Sequence, residues 1–142
     1  MSIVYALATP AARSAICVFR VSGEGCLDML SVLFGDVSIP PRVFSVRPFY
    51  NSGVLVDTVG VLVFSGGKSY TGEDSFEVHA HGGLGVMSLI IETFDSVGFE
   101  EAAPGEFTKR AFLNNKIDLN EAESVLDVID SASAEDVYLS SK

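Results

Sequence analysis

Apolar and polar positions along the chain follow two periods, and the places where one gives way to the other mark its elements. Ile3 to Ala8 is a short apolar run rich in strand formers, closed by Thr9-Pro10. Ala15 to Val21 reads as a second strand, with Ile16, Val18 and Arg20 on one face and Cys17, Phe19 and Val21 on the other. Ser22 is placed to cap a helix of about ten residues ending before Gly35, with Leu27, Leu30, Leu33 and Phe34 as its inner stripe. Residues 36–42 carry Pro40-Pro41 and read as a loop. Val43 to Phe49 and Gly53 to Phe64 supply further strands, the second expected to be a hairpin bent near Asp57-Thr58.

The second half continues in the same manner. Thr71 to Asp74 is a polar turn before a strand from Phe76 to Ala80. In that strand Phe76, Val78 and Ala80 point one way and Glu77 and His79 the other, with His81 beyond. Leu84 to Val97 has helical spacing and stops at Gly98; Phe99 to Ala103 can form an edge strand protected by Glu100-Glu101. From Pro104 the pattern is helix, joint, helix. Glu106 and Arg110 form an i,i+4 pair in a short helix, and Asn114-Asn115 tolerates the turn that ends it. Asp118 can cap the next helix, with Glu121 as the reciprocal half of a capping box. Ala122, Val125, Leu126, Ile129 and later Val137-Tyr138 give that helix one apolar stripe opposite an acidic face, a stripe that needs a cover. Lys116 is left on the joint, where its ammonium can reach a ligand.

Composition narrows the picture. A chain of 142 residues, 48% of them hydrophobic, builds one domain with a real core and leaves apolar surface in excess. That excess favours a partner or a dimer. The net charge of −10, from 19 acidic against 9 basic residues, repels phosphate backbones and argues against direct nucleic-acid binding. Cys17 and Cys26 lie in apolar patterns without C-x-x-C spacing, as reduced core thiols of a cytosolic protein would. The N-terminal apolar run lacks a preceding basic residue and breaks at Thr9-Pro10, so it does not read as a signal peptide. With no apolar run of membrane-spanning length, the expectation is a soluble, cytoplasmic protein.

Several motifs invite chemistry and resist it. Gly67-Lys68-Ser69 looks like the end of a phosphate-binding loop, G-x-x-x-x-G-K-[ST]. The first glycine position is occupied by Leu62, and Tyr70-Thr71-Gly72 interrupts any helix that would follow. His79 and His81, two residues apart with no further ligand cluster, make a poor metal site. Arg20 at the end of an apolar strand face reads, on pattern alone, as an arginine reaching out to solvent.

The order of residues goes further than the pattern. PGEFTKRAFLNNKIDLNEAE from Pro104, SYTGEDSFEVHAHGG from Ser69, and IVYALATP from Ile3 followed by VFRVSG from Val18 closely resemble the hallmarks of the N-terminal domain of the MnmE/TrmE family of bacterial tRNA modification GTPases. They fall in the family's order and span nearly the whole chain. One departure is Ala11-Ala12-Arg13-Ser14-Ala15, where the family often carries a glycine-rich run, which alters the shape expected of the first loop.

The resemblance implies an α+β fold, a mixed sheet with packed helices like the folate-binding part of aminomethyltransferases. Residues 1–117 would be the formyl-tetrahydrofolate-binding and dimerisation domain. Residues 118–142 would be the first helix of a helical domain, into which the family inserts its GTPase domain. By the family motifs Arg20, Glu77 and Lys116 would contact the folate. A carboxylate can accept the adjacent N–H donors of a pterin, and cations suit the acidic tail. The family's complete protein is implied to work as a homodimer with a flavoprotein partner. That complex installs an aminomethyl-type group on carbon five of the tRNA wobble uridine, using GTP, Mg and K. This chain, without the GTPase domain, is expected to be inactive alone and to meet tRNA only through the full complex. Two other readings stay open: an independent folate-dependent methyltransferase-like enzyme, and a dimerisation module in which Arg20, Glu77 and Lys116 form a structural ion network.

Overall fold

A computed structural model of the chain describes residues 2–9, 15–35 and 38–140, with side chains through residue 129. The departing loop at 11–14 and the side chains of Val137 and Tyr138 lie outside the described ones. The chain divides into two compact units: Met1–Ser69 with Glu73–Glu101, and Tyr70–Gly72 with Ala102–Lys142.

The first unit is built on a six-stranded sheet. Its strands are β1 (Val4–Leu7), β2 (Ile16–Ser22), β3 (Ser45–Asn51), β4 (Val54–Phe64), β5 (Ser75–His81) and β6 (Glu100–Glu101), in the order β3-β4-β5-β2-β1-β6. Every neighbouring pair is antiparallel except β1 and β6, which makes the sheet mixed and the class α+β. A 3-10 turn at Cys26–Met29 runs into the short helix α1 (Leu30–Phe34), and α2 (Leu84–Ser96) follows β5. Strand alternation puts Cys17, Phe19 and Val21 of β2 and Phe76, Val78 and Ala80 of β5 in the core, all fully or almost fully buried. Rings from the helices close that core: Phe94 of α2 meets Phe19 and Phe49 edge-on, and Phe34 of α1 meets Phe49 and Phe76. Burying one such ring contributes roughly 1.5–3 kcal/mol. Tyr5 of β1 donates its hydroxyl to Asp95 of α2 at 2.6 Å, tying sheet to helix.

Two local expectations are corrected. Ser22 does not cap a helix: it is the last residue of β2, paired with Ser75, and its hydroxyl donates to Glu73 at 3.0 Å. The helical segment begins instead after Gly25, whose φ of +87° suits glycine, and its first turn is 3-10 rather than α. Asp57-Thr58 is not a hairpin turn. β4 runs unbroken through it for 11 residues, and the hairpin turns at Ser52-Gly53, both at positive φ (49° and 82°) as a tight two-residue hairpin loop demands. The irregularity near Asp57 is a bulge in β4 itself: Phe49 pairs with Asp57 and the next residue, Tyr50, with Leu55, which leaves Val56 as the extra residue.

The second unit is helical. Helix α3 (Glu106–Leu113) starts after Gly105, two residues past Pro104, and its Glu106 meets Arg110 at 3.3 Å. Asn115, at φ 59°, makes the joint, and the Asp118 carboxylate accepts the Glu121 backbone N–H at 2.8 Å to cap α4 (Leu119–Ser140). No described helix is long and apolar enough to cross a membrane.

Candidate functional site

The sheet face opposite α1 and α2 carries the polar groups. Register places Ala6, Arg20, Glu77 and Leu62 in one row across β1, β2, β5 and β4, and Val18, His79, Gly60 and Val46 in the next. Arg20 and Glu77 are thus direct cross-strand partners although 57 residues apart. Arg20 donates Nε–H to Glu77 Oε2 at 3.2 Å. The other carboxylate oxygen, Oε1, lies 3.0 Å from His79 Nε2. Arg20 is the exposed member, at 57% of its side-chain surface, whereas Glu77 and His79 are largely covered at 21% and 28%. An ionised carboxylate offers about four acceptor sites. Glu77 therefore keeps acceptor capacity on both oxygens after meeting its two protein partners.

His79 is braced in turn. The Phe44 ring stands edge-on to it, with centroids 5.4 Å apart. Phe44 lies directly over Gly60, where a Cβ would come within 2.0 Å of its Cζ. Glycine at 60 is what lets the aromatic ring settle onto the sheet.

At the end of β5 a second carboxylate–imidazole pair forms. Asp57 accepts from the His81 backbone N–H at 3.0 Å, and its Oδ1 lies 2.9 Å from His81 Nδ1. The two histidines therefore have separate carboxylate partners. Among the described residues no group of three or more His, Cys, Asp or Glu gathers to hold a metal ion. Gly66–Lys68 folds as a 3-10 turn, and Ser69 after it is extended.

Lys116 belongs to the helical unit. Its backbone N–H bonds Ala111 O at 2.8 Å, and its side-chain methylenes lie against Gly72, where a Cβ would be 3.1 Å from Lys116 Cγ and 2.9 Å from Asn114 Cβ. Asn114 Nδ2 donates to Thr71 O at 2.9 Å, and Tyr70 and Thr108 share a 3.1 Å hydroxyl contact. The turn at 70–72 thus shapes the joint that carries Lys116. The structure brings Arg20 and Glu77 together in the sheet unit and sets Lys116 on the joint of the other unit.

Sequence reasoning named Arg20 and Glu77, and the fold makes Arg20 the first protein partner of Glu77. The same reasoning missed His79 as the second. Two like-facing residues at i and i+2 on a strand, one acidic and one imidazole, were signal enough to have proposed the contact. The roles of Asp57 and of Phe44 on Gly60 needed the strand register, which no local pattern supplies.

The thiols are chemically quiet. Cys17 and Cys26 are both fully buried, and burial is the main cause that pushes each thiol up, Cys26 to about 12 with Asp74 and Glu73 adding to it.

The model of the family described as "GTP-binding protein TrmE N-terminus" matches residues 3–116. A protein of Maricaulis maris called tRNA modification GTPase MnmE is 49% identical over 129 residues, covering 90% of this chain and 30% of that protein. Proteins of the same name from Caulobacter vibrioides and Neorickettsia sennetsu are 45% and 40% identical, over 90% and 100% of this chain and 28% and 26% of theirs. The chain thus spans less than a third of the length of these relatives.

Proposed function

Since the chain belongs to the family of the TrmE N-terminal domain of MnmE tRNA modification GTPases, we propose that it is the formyl-tetrahydrofolate-binding and dimerising portion of such an enzyme. The observation that carries this reading is the Glu77 carboxylate, held on the sheet's open face between Arg20 and His79 with acceptor capacity to spare. That donor set suits a molecule with adjacent N–H donors at one end and carboxylates at the other, as folate has. Glu77 reads the donor edge of the pterin, while Arg20 and Lys116 are the two cations for the acidic tail. Bound there, the folate would supply a one-carbon unit. This chain's residues contribute binding and orientation: Glu77 fixes the ring, and the cations set the direction of the tail.

Dimerisation is supported by apolar side chains that the sheet unit leaves exposed, among them Ile16, Phe44 and Val46. Residues 118–142 are read as the start of a helical domain. Leu119 and Val128 of α4 are exposed, and a groove of about 380 Å³ between α3 and α4 is lined by Phe112, Ala122 and Leu126. In the whole protein this portion would serve, with a flavoprotein partner, the modification of carbon five of the tRNA wobble uridine. Alone it would bind neither GTP nor tRNA, given the failed phosphate-loop spacing and the −10 charge.

The competing reading is a purely structural ion network, favoured by the direct Arg20–Glu77 contact. Measuring folate affinity and melting temperature together on Arg20→Ala, Glu77→Gln and Lys116→Ala separates the two. Folate contact predicts weakened affinity with the melting temperature nearly unchanged, since pairs this exposed contribute about 0–1 kcal/mol to stability. Lowered melting temperatures with no folate affinity to lose would establish the structural network instead.

A further inference from the structure

We infer that His79 is the positioning residue of the Glu77 carboxylate, and that this leaves Arg20 available to a ligand. The inference deepens the folate reading for its ligand-binding arm and stands on geometry for the rest. Glu77 has two protein partners, and they differ in how firmly each can hold it. Arg20 makes a single Nε contact at 3.2 Å from a long side chain exposed over 57% of its surface. Ordering so flexible a chain in one geometry offsets most of the attraction. His79 reaches Glu77 at 3.0 Å from a side chain with two rotatable bonds and 28% exposure. Its ring is braced edge-on by Phe44, which rests on Gly60. A braced, half-buried donor fixes a carboxylate better than an exposed, mobile one.

The geometry also fixes the proton. For Nε2 to donate to Glu77 Oε1, the neutral ring must carry its hydrogen on Nε2, and the imidazolium donates from the same atom. His79 can therefore hold Oε1 in either protonation state. Oε2 then faces Arg20, which is free to turn toward an anionic group without releasing the carboxylate.

The test uses the 142-residue chain and four proteins: wild type, Arg20→Ala, His79→Leu and His79→Gln. Gln retains a donor near the position of Nε2. In the unliganded proteins, NMR side-chain couplings of Glu77 are expected to report one rotamer in wild type, Arg20→Ala and His79→Gln, and averaging in His79→Leu. A fixed Glu77 rotamer in His79→Leu, or averaging in Arg20→Ala, overturns the inference. Calorimetric titration with formyl-tetrahydrofolate should show about tenfold weaker binding in His79→Leu, the loss of one hydrogen bond to a charged group, recovered to within about threefold in His79→Gln. Wild-type affinity in His79→Leu would also overturn it. If wild type itself binds no folate, the folate reading fails while the rotamer measurements still decide the role of His79.

Discussion

Replacing Gly72 by alanine tests how the turn at 70–72 shapes the joint that carries Lys116. Gly72 has φ +80°, a region where an L side chain costs roughly 1–2 kcal/mol. Its added Cβ would lie 2.9 Å from Asn114 Cβ, closer than carbon atoms tolerate, and a tight 3.1 Å from Lys116 Cγ. Asn114 must then retreat and stretch its 2.9 Å bond to Thr71 O, a loss of about 0.5–1.5 kcal/mol. The sum is about 1.5–3.5 kcal/mol. Gly66→Ala is the control: its φ of +60° is also positive, but no atom lies within 4 Å of the new Cβ. Urea unfolding should therefore show Gly72→Ala less stable than Gly66→Ala by about 1 kcal/mol. Hydrogen exchange at the Lys116 amide, bonded to Ala111 O, should be faster in Gly72→Ala alone. Equal losses in the two variants, with unchanged exchange at Lys116, would refute the steric argument.

Two further outcomes follow from buried groups. Cys17 and Cys26 are expected to resist alkylation in the native chain and to react once it is unfolded. Because their folded pKa values are raised, the stability they contribute is whole below the ordinary thiol value of 9.0 and is lost as pH rises above it, for Cys26 toward about 12; urea midpoints taken across that window check the sign. Arg110, 1% exposed and bonded to Glu106, should cost about 3 kcal/mol when changed to Ala and distinctly less as Arg110→Met, which keeps its volume; equal losses would make its charge, not its bulk, decisive.

The strands were the most legible part of the chain because alternation survives any tertiary arrangement. Cys17-Phe19-Val21 and Phe76-Val78-Ala80 face the core as their spacing requires. The i,i+4 pair Glu106–Arg110 and the Asp118 cap were equally local, and both formed. Ser22 was misread because a side-chain oxygen before an apolar run has more than one possible donor and acceptor. Here β2 continues through it and Glu73 takes its hydroxyl. Asp57 looked like a turn residue, but its carboxylate is used across the sheet by His81. The full burial of Arg110 had no sequence signal, since a cation in the last turn of a helix is ordinarily solvated. At the site, residue types were readable and their neighbours were not. That Arg20 sits opposite Glu77, and that Gly60 admits Phe44 beside His79, depends on β2, β4 and β5 lying side by side in one register.

The central claim, that this chain carries the family's folate site, is met most directly by calorimetric titration of the purified chain with formyl-tetrahydrofolate, beside Glu77→Gln. The substitution trades a carboxylate oxygen for an N–H₂ that opposes a pterin donor, so the account predicts saturable binding by wild type and affinity lower by about 2–4 kcal/mol, roughly 30-fold or more, in the variant. Folded wild-type chain that shows no saturable binding, or Glu77→Gln that binds as tightly as wild type, would contradict it.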